Sequence, residues 1–173
     1  PPNPNTNPAH VLPGMLAYAA CRQLAADNQL VGLVYNLFAW EGHAIAERLG
    51  VPSVVASPFI LGRPPPTRFI DELEIAYPQL CAALRAGDTS TAVGMTPTVS
   101  MAELDHWMWR LFLDDNGDLR HALGLPAIPF LTQTGELVQP LPPPPVLIYG
   151  VSAAVIERQP YWPASVMLSG FWR

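Results

Sequence analysis

The sequence contains no lysine. Its nine basic residues are all arginine and are scattered along the chain, and the net charge is −5. Without a basic stripe the chain lacks the electrostatic footprint of a nucleic-acid binder, so no nucleic-acid partner is expected. Charge of either sign is sparse: 13% of residues are charged and 50% are hydrophobic. That is lean for a fully solvated monomer, so part of the surface is expected to lie against another domain or chain. Cys21 and Cys81 are far apart and match no C-x-x-C spacing. A disulfide framework is therefore unsupported, and two reduced thiols are expected. No apolar run reaches the length of a membrane span. The beginning of the chain lacks the charged-then-apolar pattern of a signal peptide. No G-x-G-x-x-G, G-x-x-x-x-G-K-[ST] or G-x-S-x-G occurs, which argues against a dinucleotide-dependent reductase and a P-loop enzyme. His10, His43, His106 and His121 form no pair at a ligand spacing, so no metal site is expected. The run from Asp114 to Asp118 lacks the twelve-residue calcium pattern and reads as a turn.

What the sequence has in excess is proline, 21 residues among 173, clustered at 1–8, 64–66 and 140–145. These clusters punctuate the chain, because proline cannot lie inside regular elements. The length suits one domain with a core. Because it begins at Pro1 rather than Met, a processed chain or a fragment is expected.

The centre of the chain, residues 30 to 58, reads as strand, helix, strand. Leu33-Val34-Tyr35 lies in an apolar, β-branched run suited to a strand buried on both faces. Gly42 to Leu49 carries helix formers, with Ile45, Ala46 and Leu49 on one stripe. Gly50 provides the left-handed cap and Pro52 forbids continuation. Ser53 to Ala56 reads as the next buried strand. Such a βαβ unit is parallel and right-handed. In open parallel sheets ligands bind beyond the carboxyl ends of the strands, here residues 36–43 and 57–60.

Around this unit, residues 1–9 read as an extended segment and Pro13 to Ala26 as a helix with an apolar face at Leu16, Ala20 and Leu24. Residues 71–87 read as a helix that Pro78 kinks or splits, followed by a long loop over 88–98 that suits a lid or acceptor loop. Ser100 to Leu113 reads as an amphipathic helix opened by a Ser100–Glu103 capping box, with Leu104, Met108, Leu111 and Phe112 on one face. A short helix over 118–124, an irregular stretch over 127–145, a third strand over 146–150, a helical turn over 152–156 and a fourth strand over 165–169 complete the chain.

Among candidate site residues, His43 sits in the first turn of the central helix, where the dipole favours a neutral ring. It could bond a ligand or simply pack locally. Asn36 closes a strand and either orients a ligand or satisfies loop amides. Glu41 fits the helix dipole better than it fits catalysis. Phe38, Trp40, Phe59, Trp107 and Trp109 could wall an apolar pocket, and for Trp107 ordinary core is the better reading.

Three stretches together resemble the acceptor domain of GT-B glycosyltransferases, in particular the sterol glucosyltransferase branch and the related antibiotic glycosyltransferases. They are VYNLFAWEGHAIAERLGVPSVVASPF, the Leu123-Gly124-Leu125-Pro126 segment and LIYGVSAAVIERQPYWPASVMLSGFW. The likeness covers most of 30–173 and is weakest over 71–98, which reads as a helical insertion. It implies an α/β fold: a partial Rossmann-like parallel sheet with flanking helices, preceded by an N-terminal segment and helix over 1–29. It also implies sugar transfer from a nucleotide sugar, UDP-glucose being the expected donor, to a lipophilic, sterol-like hydroxyl acceptor, without a metal. The acceptor would be lined by Phe38, Trp40, Phe59 and Trp109, with Asn36, His43 and Ser57 as polar contacts. The family's first strand and base histidine are expected upstream of Pro1, and its nucleotide-sugar domain after Arg173, so this chain alone is not expected to catalyse transfer. Plant small-molecule members place an Asp near Asn36 to support the base. Asn36 can hold an imidazole but cannot stabilise imidazolium by charge. The expected setting is cytoplasmic, with peripheral membrane contact allowed and with the missing domain or another protein chain as partner. A non-catalytic binding or scaffolding subunit of this fold is the alternative.

Overall fold

The structure, a computed structural model, describes Leu12 and residues 14–62, 64–89, 98–113, 117–132 and 134–172. The expected N-terminal extended segment, Pro13, most of the 88–98 loop and the turn at 114–116 lie outside the described residues. Four strands, β1 (Leu33–Asn36), β2 (Ser53–Ser57), β3 (Val146–Tyr149) and β4 (Val166–Leu168), form one sheet in the order β1-β2-β3-β4, every pair parallel. The helices are α1 (Met15–Ala26), α2 (Glu41–Leu49), α3 (Phe69–Ala76), α4 (Pro78–Asp88), α5 (Met101–Glu103), α6 (Trp109–Leu113) and α7 (Gly117–Ala122). A π-helical turn, Leu104–Met108, joins α5 to α6. The architecture is α/β, a parallel sheet flanked by helices, as a partial Rossmann-like fold requires.

The central βαβ unit forms as its residues dictate. Gly50 closes α2 in the left-handed region at φ 66°, a conformation that costs any Cβ-bearing residue. Gly42 has a different task. A Cβ there would lie 2.5 Å from Cγ of Tyr35, so the missing side chain is what lets α2 approach β1. Gly42→Ala is therefore expected to lose about 1–3 kcal/mol, as overpacking of a filled site does. Urea unfolding of the variant against wild type measures it, and an unchanged midpoint would show that α2 can simply move away.

Register decides which residues share a face. Tyr35, Val55, Leu147 and Val166 lie side by side, and all are buried in the core. The helical layer on that face includes Trp107, Leu104 and Met108. The opposite face carries Val34, Val54, Ala56, Val146, Ile148 and Met167, none of them fully buried. Right-handed crossovers taken in the order 1-2-3-4 put every connection on one side, which accounts for this asymmetry. Val34, expected to be buried, is 72% exposed, because it lies on this uncovered face and, among the described residues, β1 has a strand neighbour on one side alone.

Other expectations fare unevenly. Pro78 does split its helix, opening α4 at N1 while α3 ends before Tyr77. The Ser100–Glu103 capping box is present, with the Glu103 backbone N–H donating to Ser100 Oγ and the Ser100 N–H donating to Glu103 Oε2. Helix α1 turns the other way from expectation. Met15 and Tyr18 pack on Ala44, Leu119 and Leu123, while Leu16 is 74% exposed and Ala20 and Leu24 also face outward. Its sequence is apolar on both stripes, so periodicity cannot choose between them and tertiary packing does.

Candidate functional site

Beyond the carboxyl ends of β2 and β3 lies a cleft of about 710 Å³. Its apolar wall comes from the loop after β2 (Ile60, Leu61, Pro64), from Ile70 and Met101, and from Trp162 in the loop after β3. Its polar side carries Arg85, Asp88, Asp105 and His106. Local bonds hold each part. Ser57 Oγ donates to the Phe59 carbonyl at 2.6 Å, turning the chain at the end of β2. Asp88 Oδ1 accepts from the Ala102 N–H at 3.0 Å, tying the end of α4 to α5. Arg85 is engaged on the rim by a two-bond pair with Glu74, at 2.7 and 2.9 Å. The capping box extends inward, where Ser165 Oγ donates to Glu103 Oε1 at 3.0 Å and joins α5 to the start of β4.

The π turn positions the central group of the cleft. Its wider winding keeps Leu104, Trp107 and Met108 in the core while Asp105 and His106 reach the cleft. Such single π turns inside α-helices occur frequently at functional sites. Tyr149, the last residue of β3, sends its hydroxyl to within 3.0 Å of His106 Nε2. The same hydroxyl receives the Leu61 N–H at 3.4 Å. The Trp162 ring packs against both, with centroids 5.5 Å from each. Burial of the imidazole pushes His106 down to about 4, and the cations Arg110 and Arg158 push the same way. At neutral pH the ring is uncharged. Burial pushes the Tyr149 phenol up to about 12, against smaller opposing effects of the Leu61 amide and Arg110, so it stays protonated.

The residues singled out from sequence are distributed differently. Asn36 Oδ1 accepts the Phe38 N–H at 2.8 Å and so shapes the loop after β1. Phe38, 82% exposed, and Phe59 lie near each other, ring centroids 6.5 Å apart, and form an open aromatic patch at the ends of β1 and β2. Ser57 is buried and fixes the Phe59 turn. Trp40 is in the core, stacked on Trp107 at 6.0 Å. Trp109 lies beneath the Arg110 guanidinium, 4.4 Å from its ring centroid. His43 sits near Glu47, with Nδ1 3.9 Å from Oε2 and no hydrogen-bond partner. None of these residues lines the cleft. Phe38, Phe59, Asn36 and Ser57 do come together, in the loops flanking it.

Sequence reading passed over His106, Tyr149 and Trp162 as a group. The signal for Trp162 was its place in the Pro160-Tyr161-Trp162-Pro163 segment of the third resembling stretch, and for Tyr149 its place at the end of a buried strand. His106 gave no signal, because an ordinary α-helical winding does not announce a π turn. Arg120 was also missed. Its guanidinium, 3% exposed, donates two bonds to Glu47 at 2.8 and 3.2 Å and one to the Pro126 carbonyl at 2.7 Å, locking α7 onto α2.

Burial pushes His43 down to about 4, opposed by Glu47 and reinforced by Arg120. The unfolded ring takes up its proton near pH 6.5 and the folded one only near 4, so the unfolded state binds more protons between these values. Stability therefore falls as pH drops through that window and stops falling on this account below about pH 4. Between pH 7 and 5 the loss from His43 is expected to be about 2 kcal/mol. Urea midpoints at the two pH values measure it. His43→Leu should shrink the difference, and an equal difference in the variant would remove His43 as its source.

No family model, no curated protein and no solved structure matches the chain. Among the described residues no group of three or more His, Cys, Asp or Glu side chains is placed to hold a metal ion, and no helix is long and apolar enough to cross a membrane.

Proposed function

We propose that the chain is the acceptor-binding part of a glycosyltransferase that moves a sugar from a nucleotide-sugar donor, UDP-glucose being the expected one, to the hydroxyl of a lipophilic, sterol-like acceptor. The observation that carries this reading is the cleft, lined by apolar side chains and by a neutral His106 whose Nε2 is engaged by Tyr149 behind it. Its volume of about 710 Å³ suits a rigid multi-ring ligand. Burying such a skeleton contributes about 25 cal/mol per Å² of apolar surface. The site then needs only a few polar groups to orient the hydroxyl. Transfer requires a general base at that hydroxyl. The sequence resemblance gives no residue of this chain the role of that base or of the nucleotide-sugar site. On this reading the chain works in the cytoplasm or against a membrane surface that supplies the acceptor.

The experiment is a titration of the chain with a soluble steroid alcohol, read by tryptophan fluorescence, since Trp162 lines the cleft. Saturable quenching or a blue shift is expected, and it should disappear in Trp162→Phe. A featureless titration in wild type would remove the acceptor reading.

One observation favours a second reading, a non-catalytic scaffolding subunit. The apolar face built by Val34, Val54, Ala56, Val146, Ile148 and Met167 is of the kind that all-parallel sheets bury under a second layer. A scaffold would use it to hold a partner domain or chain while binding no steroid alcohol at all.

A further inference from the structure

Resting on the acceptor-cleft reading, the geometry points to His106 as a specificity-determining residue that donates a hydrogen bond from Nδ1–H to an uncharged ligand oxygen, a hydroxyl or a ketone, and selects against a carboxylate.

The bonds around Tyr149 set the tautomer. Its hydroxyl has one proton to give and receives the Leu61 N–H at 3.4 Å. The acceptor within reach of that proton is His106 Nε2, at 3.0 Å. Tyr149 therefore donates to Nε2, and a neutral imidazole with Nε2 accepting carries its hydrogen on Nδ1. Burial keeps both groups in these protonation states at neutral pH. His106 Nδ1 makes no hydrogen bond to a described residue. Unlike His43 Nδ1, it is not sealed off from solvent. It is thus a fixed donor on a ring that lines the cleft.

The surroundings select the ligand's charge. Asp88 and Asp105 line the cleft with His106, and the cations near it are engaged elsewhere: Arg85 by Glu74, Arg158 by the Trp162 and Pro163 carbonyls, and Arg110 over the Trp109 ring. A ligand carboxylate would meet an uncharged donor beside two carboxylates. A hydroxyl or ketone meets the donor without that repulsion, while its skeleton lies on Ile60, Leu61 and Trp162. With Nε2 occupied by Tyr149, the ring offers the ligand a donor and no free base nitrogen. His106 is a binding residue and not the catalytic base of the transfer.

The test has two arms on the intact chain. In the first, ¹⁵N-histidine-labelled protein at pH 7 gives the ring tautomers by long-range ¹H–¹⁵N correlation, with the His106 signals assigned by their loss in His106→Gln. The Nδ1–H form is expected, and Tyr149→Phe, which keeps the buried ring and removes the hydroxyl, should shift His106 toward Nε2–H. In the second arm a steroid alcohol, its ketone and its carboxylic acid are titrated at pH 7. The alcohol and ketone should bind about tenfold or more tighter than the carboxylate, and His106→Gln should weaken the first two by roughly tenfold, the scale of one neutral hydrogen bond. An Nε2–H ring in wild type, or a carboxylate bound as tightly as the alcohol, would overturn the role of His106 and leave the cleft reading intact. Binding of none of the three would overturn both.

Discussion

Trp107→Ala will unfold the protein at a far lower urea concentration than wild type, if it folds at all. Trp107 is fully buried, stacked on Trp40 at an interplanar angle of 12°, and sits in the π turn that faces the sheet. Truncating a buried aromatic removes its transfer free energy and leaves a cavity that neighbours fill only in part, together about 3–5 kcal/mol. Domains of this size hold about 5–15 kcal/mol in all, so this is a large share. Trp107→Phe keeps most of the contact area and should lose much less. The variants also separate packing from function, since His106 is the preceding residue in the turn. Trp107→Phe should fold while binding steroid alcohol more weakly. An unfolding midpoint for Trp107→Ala equal to wild type would mean that the π turn does not depend on this stack.

Glu47→Ala should cost a similar amount, about 3–5 kcal/mol, for an electrostatic reason. Arg120 is 3% exposed and Glu47 is 34% exposed, so the two ends of this ion pair live in different solvents. Removing Glu47 strands a buried guanidinium with the Pro126 carbonyl as its remaining hydrogen-bond partner among the described residues. Removing the cation instead leaves a carboxylate that water can reach. Arg120→Met should therefore be the milder variant, because methionine fills the volume without a charge to solvate. The double variant should be no worse than Glu47→Ala alone, a non-additivity expected for groups in direct contact. Thermal or urea unfolding of the three proteins checks the order. Equal losses for Glu47→Ala and Arg120→Met would contradict the asymmetry.

Local chemistry made much of the fold legible. Gly50, Pro52 and Pro78 stop or start elements through constraints of their own backbone, and the Ser100–Glu103 box needs only residues three apart. These features are decided within a few residues, so a sequence carries them. The face of α1 and the exposure of Val34 are decided by what packs against them, which the local pattern does not contain. The site follows the same division. Its location beyond the strand ends follows from parallel topology. Its residues do not, since His106, Tyr149 and Trp162 meet through a π turn, a strand end and a loop. The aromatics at 38 and 59 flank this position, while Trp40 finds a better partner in Trp107.

The measurement that decides most directly is chemical-shift mapping of the chain with a soluble steroid alcohol. If the cleft is the acceptor site, the His106 ring, the Trp162 indole and the Leu61 amide should shift together and saturate at one ligand concentration. Phe38 and Asn36, in the open patch, should move little. Saturating shifts confined to Phe38, Phe59 and Asn36, with His106 and Trp162 unmoved, would place the ligand outside the cleft and contradict the assignment.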